Sequence, residues 1–500
     1  MRLVDNTRYL ALLRETLEAT LVPELQSAAA KATAAVMQNL LDELLRREQQ
    51  ADAQFDALNQ QAAVLAGRMR VFLERAGSTV PPAPAPVAHA EARLARHGEW
   101  LAELTRLCAA VSGVGQRAGS DVVRAEAARL LRESAEWELQ PYLIPNQAPP
   151  ERPRATEQKD KDGRLAREQV EAFVRRHHPD GDAVAVSDFE AIPGGYGKQT
   201  SRFTLRDRAG HARSLIVRKC DRHPMLQLGA FRIEHEFDLV RAVSATGFPA
   251  PKPLWLGVDE PGVDAGFYVM ERLPGRVPGT FLGGAEGGTV PESLLLDLAT
   301  QLARLHAIPL TTFEDVIRRH DDPALLAEGR EGSVGACYRR AIESWRAYFD
   351  RLEHLPSPYF QYVIDWLLRN LPADDRRPVL VHGDFNIHNL LAEDGRLTGV
   401  LDWECAMFGA PEQDLAYIQP HVGRHIAWDR FMAAYHAAGG RAVDPASLPF
   451  YMAFSMMRLH VGMCRGLLNV QTGATRDLRY AVIELGFLGE FMKTGLASTR

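Results

Sequence analysis

Over the first 145 residues, apolar positions recur every three or four places. Leu10, Leu13, Leu17 and Leu21 make one stripe, and Val36, Leu40, Leu41, Leu44 and Leu45 make another. That is the spacing of one buried face on an α-helix. The stretch STVPPAPAPVAHA (78–90) cannot continue a helix and predicts an extended connection; helical patterns resume at about 90–112 and 120–140. An all-helical antiparallel bundle is expected over 1–145, with no chemistry visible in it. NQAPPERPRATEQKDKDGR (146–164) then mixes prolines with charges of both signs and has almost no apolar residue. Such a segment cannot bury a core and reads as an exposed linker.

Beyond the linker the period changes. SRFTLRD (201–207), SLIVRKC (214–220) and FYVMERL (267–273) have strand character, whereas RIEHEFDLVRAV (232–243) and PESLLLDLATQLARLHAI (291–308) return to helical spacing. The order predicts an α+β protein: the all-α bundle, then a β-rich lobe over 165–273 and a helical lobe over 274–500, with a cleft between the lobes.

Composition narrows the function classes. Five hundred residues, 46% hydrophobic and 24% charged, describe a globular chain with room for two or three domains. A net charge of -6 supplies no basic face, so nucleic acid is not an expected partner. Cys108, Cys220, Cys337, Cys405 and Cys464 are scattered without a CxxC pair, which favours reduced thiols in a cytoplasmic protein over a zinc site. Arg8, Arg14, Glu15 and Glu18 interrupt the apolar N-terminus, no signal-peptide core is present, and no stretch elsewhere is suited to span a bilayer.

The densest polar cluster is VLVHGDFNIHNLL (379–391), which sets His382, Asp384, Asn386, His388 and Asn389 between two apolar runs. Downstream, VLDWECAMFG (400–409) places Asp402 directly after the apolar run LTGVL. Two carboxylates and an amide oxygen converging from two loops are hard ligands suited to magnesium, which keeps waters or substrate phosphates in its other positions. A carboxylate left off the metal can accept a proton from an alcohol. A metallohydrolase built on His382, Asp384 and His388 is the competing reading, but no other histidine cluster completes it. Upstream, FEAIPGGYGKQTSRFTL (189–205) sets Gly194, Gly195 and Gly197 between two strands, where bare backbone can approach phosphates. It is not a Walker A loop: Ile192 stands where the first glycine belongs, and Gln199 follows Lys198.

HGD-x4-N over 382–389 and DWE over 402–404, in that order, resemble the catalytic and metal loops of the aminoglycoside phosphotransferase-like branch of the protein-kinase fold. The resemblance covers about residues 165–500. It implies ATP and Mg2+ as cofactors, with Asp384 orienting and deprotonating the acceptor hydroxyl and Asn389 and Asp402 holding the metal. Arg218 is the position best aligned with the phosphate-pairing cation, with Lys219 on the opposite face by strand alternation. Glu236, rather than Glu234, is the implied ion-pair partner of that cation. Around the implied hinge, the Glu271 carbonyl and Leu273 N–H would meet adenine beside Met270. Asp414 in FGAPEQDLAY would anchor the catalytic loop, His382 would brace it, Glu404 would lie beside the metal ligands, and His306 and His388 would pack.

EHEFDLVRAV, FYVMERLPGRVPG and VLVHGDFNIHNLL look more like phosphotransferases associated with acyl-CoA dehydrogenases than like antibiotic-resistance enzymes. Members of that group are linked to phosphorylating hydroxyacyl-CoA thioesters, so the implied acceptor is a small-molecule hydroxyl, that of a CoA thioester, with aminoglycosides or macrolides as the alternative. A non-catalytic nucleotide-binding scaffold is the reading from another class. The Met-rich YMAFSMMRLHVGMCRGLLNV (451–470) offers Arg458, His460 and Arg465 to an anionic acceptor, or else a core helix with an ion-paired face. The N-terminal helices resemble a small helical protein that accompanies such kinases, implying self-association or partner docking through them.

Overall fold

The computed structural model describes residues 6–26, 28–82, 93–142, 165–192, 197–226, 231–279, 290–320, 332–351, 354–472, 474–475 and 487–500. The chain divides into two compact units: residues 1–158, 346–370 and 456–500 form one, and residues 159–345 and 371–455 form the other.

The first unit is helical. Its long helix Ala28–Arg75 packs against Arg93–Arg117 and Asp121–Leu139. Leu58, Ala62, Leu65, Met69 and Leu73 repeat at steps of three or four, so one face of that helix is buried along this stretch. Trp137 fills the facing core, and its indole N–H donates to the Leu58 carbonyl at 2.9 Å. Pro358–Arg369 packs on two of these helices. Proline stands at its first turn, where a missing N–H costs no hydrogen bond, and Ser357 caps it by accepting from Phe360 N–H at 3.1 Å. Residues 346–370 and 456–500, grouped by sequence with the helical lobe, therefore cluster with the N-terminal helices.

The second unit begins with the helix Arg167–His177 and a five-stranded antiparallel sheet: β1 (Ala185–Ile192), β2 (Lys198–Arg206), β3 (Ala212–Cys220), β4 (Pro253–Gly257) and β5 (Phe267–Glu271), in the order β1-β2-β3-β5-β4. Strand alternation divides its faces. Phe203, Leu205, Leu215, Val217, Phe267 and Val269 pack on one side with Val170, Phe173 and Val174 of the helix Arg167–His177. Ile216, Tyr268 and Met270 face the other way, against Ile233 and Phe237 of the helix Ile233–Ala245.

After β5 the chain runs alongside a hairpin of β7 (Leu390–Glu393) and β8 (Arg396–Val400), with Arg276 and Ala392 exchanging two backbone hydrogen bonds of 2.9 Å. Gly275 is required in this passage: its φ is +99°, and a Cβ would stand 2.8 Å from the Ala392 carbonyl oxygen. A second ladder joins β6 (Val379–Val381) to β9 (Met407–Gly409). Leu294, Leu298 and Leu302, one turn apart on Glu292–His306, pack with Leu380, Ile387, Val400, Phe408 and Leu415 in one core of the unit. Those strands enter and leave the two loops that carry Asp384 and Asp402.

Candidate active site

The loop between β6 and β7 is held from below by one carboxylate. Asp414, buried in the first turn of Pro411–Val422, accepts from the His382 N–H at 2.9 Å and the Gly383 N–H at 2.7 Å. His306 adds a third contact, Nε2 to Asp414 Oδ2 at 3.1 Å, and its other nitrogen meets Tyr435 Oη at 3.0 Å. Burial pushes Asp414 up, but the His306 hydrogen bond and charge with the His382 N–H outweigh it and hold the carboxylate below its ordinary range. His306 and Asp414 thus set the height of the loop without facing a reactant.

His382 braces the same loop. The Asp384 N–H donates to its Nδ1 at 3.2 Å, which leaves the proton on Nε2, 2.9 Å from the Leu401 carbonyl. Burial lowers its pKa, in keeping with a neutral ring. Leu401 N–H in turn donates to the Asn389 carbonyl at 2.8 Å. The residue before Asp402 is therefore pinned to both ends of the HGD-x4-N segment, which ties the two loops together.

Asp384 and Asn389 meet directly: the Asn389 amide donates to Asp384 Oδ2 at 2.7 Å and to its backbone carbonyl at 3.1 Å. Asp384 Oδ1 is buried and has no hydrogen-bond partner among the described residues. His388 Nε2 lies 3.7 Å from Asp384 Oδ2. At the far end of Pro411–Val422, His421 is pushed down to about 4, by burial first and then by Arg424, His388 and His425, with Asp384 opposing. Arg424 and the imidazoles of His388, His421 and His425 thus share one electrostatic neighbourhood with Asp384.

Asp402 has a left-handed backbone, φ +64° and ψ +66°, an uncommon state for a residue with a Cβ, which turns its side chain away from the strand direction. It pairs with Arg218 of β3, whose Nε lies 3.2 Å from Glu236 Oε1. Glu236 also accepts from Tyr268 Oη at 3.0 Å and from Lys198 Nζ at 2.5 Å, and Lys198 bonds Glu404 as well. Burial works against charge on every member. The Arg218 and Lys198 charges nevertheless keep Glu236 and Asp402 below their ordinary values, while Glu404, which burial dominates, is pushed up to about 7.

The structure brings Arg218, Glu236 and Asp402 into one cluster, and Asp384 and Asn389 into another. Lys219 points to the opposite face of β3, where its ammonium pairs with Asp264 at 2.6 Å. Met270 is buried against Ile216, Ile233, Phe237 and Tyr268. The Glu271 N–H donates to the Lys252 carbonyl at 3.0 Å, its carboxylate pairs with Arg213 at 2.8 Å, and Leu273 packs over Gly399. Gly197 is found at φ +79°; Gly194 and Gly195 lie outside the described residues. His460 is enclosed in the first unit against Ser357 at 2.8 Å. Lys198 was given no part in the site by the sequence. The available signal was hairpin register: with Arg206 opposite Ala212, Lys198 falls opposite Cys220 and on the face of Arg218.

Oxygen donors suited to magnesium are present in Asp402 and Asn389, although among the described residues no group of three or more His, Cys, Asp or Glu side chains could hold a metal alone. Among the described residues no helix is long and apolar enough to cross a membrane.

Residues 188–451 match the phosphotransferase enzyme family. The chain is 32% identical to acyl-CoA dehydrogenase family member 11 of Gallus gallus over 225 residues, 44% of this chain and 26% of that protein. A shorter stretch of 39 residues, 8% of this chain and 11% of the relative, is 49% identical to hygromycin-B 4-O-kinase of Escherichia coli. A macrolide 2'-phosphotransferase from Brachybacterium faecium, 20% identical, aligns with a TM-score of 0.40 over 64% of this chain and 97% of its own. The chain spans 26% to 38% of the length of the first acyl-CoA dehydrogenase relatives it matches.

Proposed function

Because the chain belongs to the phosphotransferase enzyme family, acting on a hydroxyl acceptor, we propose that it transfers the γ-phosphoryl group of ATP to the hydroxyl of a hydroxyacyl-CoA thioester. The observation that carries the reading is Asp384. One of its oxygens is fixed by Asn389, and the other is buried without a partner among the described residues. That second oxygen is the acceptor for the substrate's hydroxyl proton. As the proton leaves, the hydroxyl oxygen bonds to the γ-phosphorus, the bond from that phosphorus to the bridging oxygen breaks, and ADP departs.

Asp402 and Asn389 would hold magnesium, whose chemistry is to neutralise charge on the phosphate oxygens. Arg218 supplies protein charge to the same end, fixed in direction by Glu236. Little else is asked of the chain beyond alignment, since phosphoryl transfer depends on positioning and charge stabilisation. Gly194, Gly195 and Gly197 would lie along the phosphates, and Met270, Glu271 and Leu273 along the adenine.

One finding favours an anionic thioester over a polycationic antibiotic. Relatives matched over 295 and 323 residues are named as acyl-CoA dehydrogenase family members. Cationic aminoglycosides favour an acidic cleft, whereas the phosphates of CoA favour a basic one. The stretch shared with hygromycin-B 4-O-kinase supports antibiotic phosphorylation as the second reading.

ADP release from ATP with magnesium, measured against 3- and 4-hydroxyacyl-CoAs, their free acids, aminoglycosides and macrolides, separates the readings. Activity confined to the thioesters is expected, and Asp384→Ala should remove it. Activity confined to the antibiotics contradicts the thioester assignment, and nucleotide binding without turnover on any acceptor favours a scaffold.

A further inference from the structure

Two cations rise from the same face of the sheet. Thr200 is the register partner of Arg218, and Lys198 lies two residues before Thr200 on β2, so Lys198 and Arg218 are diagonal neighbours, a placement worth about 7–8 Å between backbones. Both reach Glu236 on the helix Ile233–Ala245, and each then reaches one carboxylate of the metal loop, Glu404 for Lys198 and Asp402 for Arg218. The result is a chain of five charged groups, two cations against three carboxylates.

Its exposure is uneven. The Glu236 end is closed, with 1% of the side chain accessible, whereas Asp402 and Glu404 are 27% and 23% accessible. An ammonium carries three donors. Glu236 and Glu404 take two of those on Lys198, and no third acceptor is found among the described residues. Lys198 also follows Gly197 directly, whose φ of +79° turns the backbone out of the strand. A buried ionic network is a poor source of net stability, because desolvation offsets attraction. Lys219, one-to-one with Asp264 on the opposite face, is what a simple structural ion pair looks like in this sheet.

We propose that Lys198 is a second phosphate-binding cation of the site, so that the nucleotide's phosphates meet one charge from β2 and one from β3. The inference rests on the phosphotransfer reading and adds a residue that reading does not use. Glu404 holds the ammonium beside the metal loop, and Glu236 fixes the spacing of the two cations.

The test is a set of dissociation constants for adenosine, AMP, ADP and ATP with magnesium, on the full chain as wild type, Lys198→Gln, Lys198→Arg and Lys219→Gln. Loss of one charge-assisted contact predicts ATP weakened about tenfold in Lys198→Gln, with adenosine unchanged within about twofold. Lys198→Arg should keep most ATP affinity, and Lys219→Gln should match wild type. A folded Lys198→Gln chain whose ATP affinity is unchanged, or falls only as much as that for adenosine, overturns the proposal and leaves Lys198 as a counter-ion. Should Lys198→Gln fail to fold, Glu404→Gln decides: releasing the ammonium and removing an anion is expected to tighten ATP about threefold, and unchanged or weaker ATP binding overturns the proposal. A wild-type chain that binds none of the four overturns the nucleotide reading and this inference together; wild-type binding with an unaffected Lys198→Gln overturns the inference alone.

Discussion

Glu138 and Glu236 are buried carboxylates, one in each compact unit, and their surroundings treat charge in opposite ways. Glu138 accepts from the Tyr359 N–H at 2.6 Å and the Ser357 hydroxyl at 3.1 Å, and Ser357 also meets His460 at 2.8 Å. Burial outweighs these neutral donors and pushes Glu138 up to about 8, while burial pushes His460 down to about 3. At neutral pH that cluster holds an acid largely protonated and an imidazole neutral. Glu236 suffers the same burial but faces Arg218 and Lys198, and it stays ionised.

The difference teaches how to read a serine, a histidine and a carboxylate found together. Ser357, His460 and Glu138 contain the residue types of a nucleophile with its base, yet Ser357 is fully buried and its oxygen caps the helix Pro358–Arg369. A cluster that sheds its charges joins helices. A cluster that keeps charge on Glu236 and Asp402, supplied with counter-charges and open at Asp402 and Glu404, is able to meet a charged reactant.

The sharpest way to break this contrast is at Asp384. Asp384→Ala is expected to lower turnover about a thousandfold or more, within the range for a positioned general base, while largely sparing nucleotide binding. Asp402→Ala should lose magnesium-dependent nucleotide binding as well. Binding lost equally in both variants, seen by calorimetric titration, contradicts the division of roles.

In the helical unit the expected loss is of stability instead. Glu138→Ala leaves the Tyr359 N–H and the Ser357 hydroxyl without their buried acceptor and should cost about 3 kcal/mol, with turnover per folded molecule unchanged. Glu138→Gln should be far milder, because the native carboxyl is largely protonated at neutral pH. The pH dependence has a definite sign. Glu138 is raised in the folded state, so its contribution is complete below its ordinary value of 4.5 and is lost as pH rises through about 8. His460 is lowered, so its contribution is present above 6.5 and lost as pH falls toward about 3. Hydrogen exchange at the Tyr359 amide should therefore be slowest, after correction for intrinsic rate, between about pH 4.5 and 6.5, and Glu138→Gln should flatten the alkaline side.

Asp414 should give a smaller effect on turnover than Asp384. Asp414→Asn retains one acceptor for the His382 and Gly383 N–H groups but loses charge, and a drop of about tenfold in kcat with little change in nucleotide affinity is expected. A change confined to nucleotide affinity would place Asp414 in the wrong role. Smallest on turnover is Lys219→Gln, expected to change it by less than about twofold, although loss of this buried ammonium from Asp264 should cost about 1–3 kcal/mol of stability.

What the sequence made legible follows from distance along the chain. HGD-x4-N and DWE are short segments whose members meet locally, as Asn389 does with Asp384 five residues away. Strand alternation separated Arg218 from Lys219, since 216 and 218 must share a face. Lys198 was not legible in the same way because Glu404, its partner, lies 206 residues downstream. The helices of 346–370 and 456–500 were grouped by sequence with the helical lobe, not with the N-terminal helices, for the same reason: amphipathic spacing says that one face is covered, but Glu138 and Ser357, 219 residues apart, are what reveal by what.

The measurement closest to the centre of the account is a paired assay on wild type and Asp384→Ala, with magnesium-ADP affinity and phosphate transfer from ATP to a hydroxyacyl-CoA read on the same preparations. Nucleotide affinity preserved within about threefold while transfer falls about a thousandfold is the predicted result. Transfer that survives the loss of the Asp384 carboxylate would contradict its assignment as the group that takes the hydroxyl proton.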